Sequence, residues 1–248
     1  MRAFLGSLLV VGLAASADRA DRRDQLYASW QEAQRGVKSL VVEFTRETRD
    51  PIFKERQKAE GAFRLIRTPK GEVFASYEIV EPEAKGDKQE RWSGLLHNGT
   101  VYLLDHDKKT AIRFEQTGGD LWRFLEKYFN PFVLLLDQKR AGEKCQIEVV
   151  QQDEWYTYLA VKPKQVKPFG WFPDTFHEGR AVLMNKASEA VPKDMPRRLW
   201  YTNGIREYTF EIKGWRLNAA EAPKLEKFAR PEDRPGWKVG EWPFQSNK

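Results

Sequence analysis

Two Asn-Gly pairs, Asn98-Gly99 and Asn203-Gly204, each stand between runs rich in β-branched, aromatic and other apolar residues. Both residue types tolerate the positive φ of a tight primed turn, so each pair marks a hairpin whose flanking strands are antiparallel. Trp92–His97 and Thr100–Asp105 flank the first pair, and Leu199–Thr202 and Ile205–Phe210 flank the second. Alternating, β-branched or aromatic runs recur at about 39–49, 59–67, 72–80, 89–97, 100–105, 110–115, 145–151, 156–162, 180–185, 197–203, 206–214 and 225–229. A chain with this rhythm folds mainly as antiparallel sheet. In the first run Leu40, Val42 and Phe44 point one way, and Val41, Glu43 and Thr45 the other.

Two segments break the period of two. Between Asp24 and Lys38, Leu26, Trp30, Ala33 and Val37 recur three or four apart, which predicts one amphipathic helix loosening near Gly36. Between Asp120 and Asp137 a wide apolar face is split by Asn130-Pro131, a favourable cap followed by a favourable first helical residue. Two short helices, about 120–129 and 131–137, are expected there, with Phe132 to Leu136 buried against the sheet. The stretch 163–179, with Pro163, Pro168, Pro173, Phe169, Trp171, Phe172 and Phe176, is too proline-rich for a central strand and reads as an apolar loop. The tail from Ala229 to Lys248 reads as extended.

The first seventeen residues combine Arg2, an apolar run from Ala3 to Leu13, and the small-x-small motif Ala15-Ser16-Ala17. That is the pattern of a secretory signal peptide, so the expected organisation is a leader over 1–17 and a single exported domain over 18–248. No other run approaches the roughly 20 apolar residues of a membrane-spanning helix. With Cys145 as the sole cysteine no internal disulfide can form, and stability must come from a core for which nine tryptophans supply material. The formal charge of +6 is carried by scattered Lys and Arg without a run of five, a pattern that favours anionic partners in general and none in particular.

The order of these elements resembles the LolA-like family of periplasmic lipoprotein carriers. Ser39-Leu40-Val41-Val42-Glu43-Phe44-Thr45-Arg46 looks like that family's opening strand, and Gly61-x-Phe63-x-Leu65-x-Arg67 its second. Asn98-Gly99-Thr100 with Tyr102 is similar to its hairpin, and Asn130-Pro131-Phe132-Val133-Leu134-Leu135 to its lid helix. Val161-Lys162-Pro163-Lys164 and Phe228-Ala229-Arg230-Pro231 resemble later segments, so the likeness runs over roughly residues 24–240. It implies a mainly β (α+β) fold: a strongly curved antiparallel half-barrel of about 11 strands, covered by an N-terminal helix and short central lid helices. It also implies an apolar cavity that accepts acyl chains. The expected lining is Leu40, Val42, Phe44, Phe63, Leu65, Phe74 and Tyr102, with Phe132, Leu134 and Leu135 from the lid. Arg67 stands where the family has a lid latch, although Thr68 separates it from Pro69 where the family has arginine and proline adjacent.

Catalytic signatures are sparse. His97 and His106 read as surface residues of turns, and Asp174, His177 and Glu178 form the one local acid and imidazole cluster, within a loop. Cys145 inside a strand reads as a small buried hydrophobe. No nucleophile elbow, Walker loop or dinucleotide fingerprint occurs. The expectation is therefore a non-catalytic, monomeric periplasmic carrier without metal or cofactor. Its partners would be lipid or lipoprotein acyl chains, with membrane-bound donor and acceptor proteins as further candidates, and no nucleic acid. The rival readings are an envelope module that recognises a protein or glycan through loop 163–179, and a hydrolase.

Overall fold

The computed structural model describes residues 21–32, 35–82, 89–115, 145–164, 177–219 and 223–241. The segments expected to form a leader (1–17), two short helices (about 120–137) and most of an apolar loop (163–179) lie outside the described residues. Residues 21–32 form helix α1. The strands are β1 (Ser39–Asp50), β2 (Glu55–Arg67), β3 (Val73–Pro82), β4 (Gln89–His97), β5 (Thr100–Asp105) and β6 (Thr110–Glu115), then β7 (Cys145–Gln152), β8 (Tyr156–Pro163), β9 (Glu178–Met184), β10 (Pro196–Thr202), β11 (Glu207–Leu217) and β12 (Lys238–Glu241).

All twelve belong to one curved, unclosed sheet ordered β12-β6-β5-β4-β3-β2-β1-β11-β10-β9-β8-β7. Two meanders, β1 to β6 and β7 to β11, are joined where β1 pairs with β11. Consecutive β6 and β7 therefore stand near opposite edges. The long β1 is central because Leu40, Val42 and Phe44 bury one face while Val41 is buried on the other. A register shift between Glu43 and Phe44 marks a bulge opposite the Lys213-Gly214 turn signal, and bulges of this kind increase local twist.

The sheet confirms the mainly β half-barrel, with three differences from the sequence reading. Residues 225–229 do not form a strand: Leu225–Phe228 is a 3-10 turn in which Lys227 N donates to Lys224 O, and a second such turn spans Pro231–Asp233. Pro231 at the first position suits a tight turn, since its missing N–H would be unsatisfied there anyway. The tail is not simply extended, because it supplies β12, whose pairing with β6 is parallel. The two Asn-Gly hairpins also differ. Asn98 and Gly99 both have positive φ (47° and 83°), as a two-residue primed turn requires. At the second hairpin Gly204 alone of the pair is left-handed, and the loop widens to residues 203–206, with Asn203 Oδ1 accepting the amides of Ile205 (3.0 Å) and Arg206 (2.6 Å).

The sheet carries two cores, one on each face. The larger gathers Leu40, Val42, Phe44, Phe63 and Leu65 with Leu159, Leu183, Leu199, Phe210 and Trp215, under Leu26, Tyr27 and Trp30 of α1. The smaller gathers Phe74, Leu95, Tyr102, Leu104 and Ala111 under Phe228, with Trp237 and Val239 packed alongside.

Candidate functional site

The larger, inner face is mainly apolar because strand periodicity places every second residue there, and it is interrupted by Arg46, which lies between Ala59 and Phe210 and hydrogen-bonds Tyr77. Cross-strand pairs repeat the rule: Val42 opposes Phe63 and Trp215, Leu40 opposes Leu65 and Leu217, and Leu65 opposes Ala75. Near its middle runs a row of rings. Phe44 stacks on Tyr77 with centroids 5.7 Å apart and meets Phe210 edge-on at 5.4 Å, and Tyr201 stacks on both Phe210 and Tyr208. Offset and edge contacts of this kind add to what burial alone contributes. Gly61, opposite Phe44 in register, leaves room for that ring: a Cβ there would come within 2.8 Å of the Glu78 carbonyl oxygen and closer still to the Phe44 ring. Burial pushes the Tyr77 hydroxyl up to about 12, against the opposing pull of Arg46, which hydrogen-bonds it.

Helix α1 closes part of this face and is held at one end by polar contacts. Arg22 Nη2 donates to Asp194 Oδ1 (2.7 Å) and Asn185 Oδ1 (3.0 Å), and Thr157 Oγ1 donates to the same Asn185 oxygen (2.6 Å). Further along, Trp30 Nε1 donates to the Asp194 carbonyl at 2.7 Å in a buried setting. A buried indole N–H left without an acceptor is costly, so these bonds fix where the helix lies. Held in this way, Leu26, Tyr27 and Trp30 sit on the sheet, and Leu40, Val42, Phe44, Phe63 and Leu65 are each no more than 6% exposed.

The structure brings these five expected lining residues together on the inner face. Phe74 and Tyr102 are not among them. Leu65 opposes Ala75, so Phe74 pairs with Ile66 on the outer face, and Leu96 opposes Val101, so Tyr102 pairs with Leu95 there. Both belong to the core beneath Phe228, and Tyr102 donates to Glu232 Oε1 at 3.2 Å. Burial, reinforced by the Glu232 charge, pushes the Tyr102 hydroxyl up to about 12. Arg67 ends β2 with an exposed side chain, while its backbone N donates to Lys38 O at 2.8 Å. Phe132, Leu134 and Leu135 lie outside the described residues, as does Asp174.

Cys145 is a buried apolar residue of the inner core, as its strand position suggested. His97 and His106 are corrected, because neither is simply at the surface. Half-buried His97 has Nδ1 2.8 Å from the Phe228 carbonyl, and half-buried His106 has Nε2 2.6 Å from Ser93 Oγ. The tail folding over the outer face causes both changes, since Phe228 and Trp237 pack beside them. Sequence reading also missed an outer polar pocket that includes Arg64, Glu78, Arg91, Ser93, His106 and Arg234. Its signal was present in part, as polar residues at outward positions of β2 to β4.

No family model matches the sequence, and no curated protein sequence matches it. Among solved structures the chain is similar to a DUF1329 family protein from Desulfovibrio piger, at 6% identity, with 86% of this chain and 98% of that one covered and a TM-score of 0.44. It is similar to LprF from Mycobacterium bovis at 14% identity, covering 83% and 98% of the two chains with a TM-score of 0.39. A LolA superfamily protein from Nitrosomonas europaea is similar at 8% identity, covering 83% and 98%, with a TM-score of 0.37.

Proposed function

We propose that the protein is an exported, non-catalytic carrier that shields an apolar chain, such as the acyl group of a lipid or lipoprotein, against the inner face of its sheet. The observation that carries this reading is the apolar inner face itself, which runs across an unclosed sheet and is roofed, among the described residues, by one short helix. Burying one methylene contributes about 0.8 kcal/mol, so an acyl chain of ~16 carbons offers on the order of 10 kcal/mol before ordering costs. That is ample for capture, and a carrier must also release.

In this reading the packed arrangement, with Leu26, Tyr27 and Trp30 in the inner core, corresponds to the guest-free state. A guest enters by displacing them, and the net affinity is reduced by the cost of leaving this state. Leu40, Val42, Phe44, Phe63 and Leu65 form the sheet side of the site. Phe132, Leu134 and Leu135 complete it from the lid segment, and Arg67 latches that segment through its guanidinium donors. The leader at 1–17 takes the chain to the periplasm, where acyl chains need such shielding.

The test is saturable uptake of a fluorescent fatty acid by purified protein, competed by unlabelled palmitate, together with mass spectrometry of lipid that co-purifies. Uptake and retained lipid are expected. Absence of both overturns the reading.

A further inference from the structure

On the outer face, a pocket of about 350 Å³ lies between strands β2 to β5 and the tail that crosses them. Its floor and walls include Arg64, Ser76, Glu78, Arg91, Ser93 and His106, and the tail contributes Glu226, Lys227 and Arg234. Four cations thus face two carboxylates. Glu78 is shared between two of the cations: Arg64 Nη1 reaches Oε2 at 3.1 Å, and Arg91 is bonded to Oε1. Burial alone would raise the Glu78 carboxyl, but Arg91 and Arg64 together hold it below its ordinary value, so it remains charged.

Arg234 has no such counter-charge: among the described residues no carboxylate lies within ion-pair distance of it. Its Nε and Nη2 donate to the Ala229 carbonyl at 3.1 and 2.7 Å, and its guanidinium lies over the Trp237 ring, 5.4 Å from the centroid. Nη1 takes no part in these bonds. Burial, and then the neighbouring Arg91 charge, lowers its affinity for the proton. A half-buried cation beside another cation is unfavourable unless an anion joins them. Burial and Arg91 likewise hold His106 below its ordinary value, so the imidazole that meets Ser93 Oγ is neutral near pH 7.

We propose that this pocket binds a phosphate group, either as inorganic phosphate or as the phosphate of a lipid headgroup. Guanidiniums match phosphate oxygens in pairs, and hydroxyls such as Ser76 and Ser93 supply further donors. The volume exceeds what a carboxylate needs, and the pocket opens outward, which leaves an ester substituent free to extend into solvent. The site uses none of the inner-face residues, so it stands or falls separately from the carrier reading.

The full mature chain is titrated calorimetrically with inorganic phosphate at fixed ionic strength. In parallel it is sedimented with phosphatidylcholine vesicles containing or lacking phosphatidic acid. Saturable binding of free phosphate, or phosphatidic-acid-dependent sedimentation without it, identifies the two sources in turn. In either arm, Arg234→Gln and Arg64→Gln are expected to weaken binding about tenfold or more, while Lys186→Gln, beyond β9 and paired with Glu154 on the other half of the sheet, leaves it unchanged. Should Arg234→Gln fail to fold because the Ala229 contact is lost, the more exposed Arg91→Gln gives the same reading. Binding in neither arm, or binding that survives the pocket substitutions, overturns the proposal.

Discussion

The two faces of the sheet are made by the same strands and differ in what covers them. On β2 to β5, the inner face carries Phe63, Leu65, Ala75, Tyr77 and Leu96, apolar save for one hydroxyl. The outer face of those strands divides. Phe74, Leu95, Tyr102 and Leu104 form a small core under Phe228, and beside them Arg64, Glu78 and Arg91 form an ion-paired cluster. The difference shows that a tail of about twenty residues can turn half of a solvent-facing surface into a second core, while leaving the other half polar enough to hold charges.

If both cores are integral, truncating a ring in either one should destabilise the whole domain. Phe44→Ala, at a side chain 2% exposed on the inner face, is expected to cost about 3–5 kcal/mol in chemical denaturation. Phe228→Ala on the outer face should approach the same figure, since that ring is fully buried. A loss below about 1 kcal/mol for Phe228→Ala, well under the usual cost of emptying a packed aromatic site, would mean the tail is only laid over the sheet.

Gly61→Ala probes the inner face without removing any side chain. The added methyl meets the Phe44 ring and the Glu78 carbonyl, and overpacking of this type costs roughly 1–3 kcal/mol. An unchanged melting temperature would show that the aromatic row has freedom to shift.

The smallest effect belongs to the outer cluster and to acid. Glu78 has a depressed pKa, so its contribution to stability is complete above the ordinary glutamate range and is lost as pH falls through the folded value. His106, depressed by burial, acts in the same direction, because the unfolded chain takes up its proton first as pH drops below about 6.5. Wild-type stability should therefore decline from pH 7 toward pH 4, and less steeply in His106→Gln. Parallel slopes would remove His106 from that account.

Much of this architecture was legible locally. The alternating, β-branched or aromatic runs at about 39–49, 59–67 and 89–97 each became a strand within a few residues of its expected limits. The error at Phe74 and Tyr102 has a definite cause. Alternation within one strand leaves its phase against the next undetermined, and a shift of one residue moves every side chain to the opposite face. The pairing of Leu65 with Ala75, and not with Phe74, decided it. The histidines were misread for a related reason, since their burial depends on Phe228 and Trp237, more than a hundred residues away.

The sequence by itself determined that this chain makes antiparallel strands, where its Asn98-Gly99 hairpin turns, and that one face of β1 is apolar. These are short-range matters of side-chain period and backbone freedom. Which residues share a face across strands, that the tail adds a parallel twelfth strand, and that Arg64, Arg91 and Arg234 converge on one pocket were decided only in three dimensions. Each of those outcomes rests on contacts between distant segments, whose free energy exists only once the sheet has assembled.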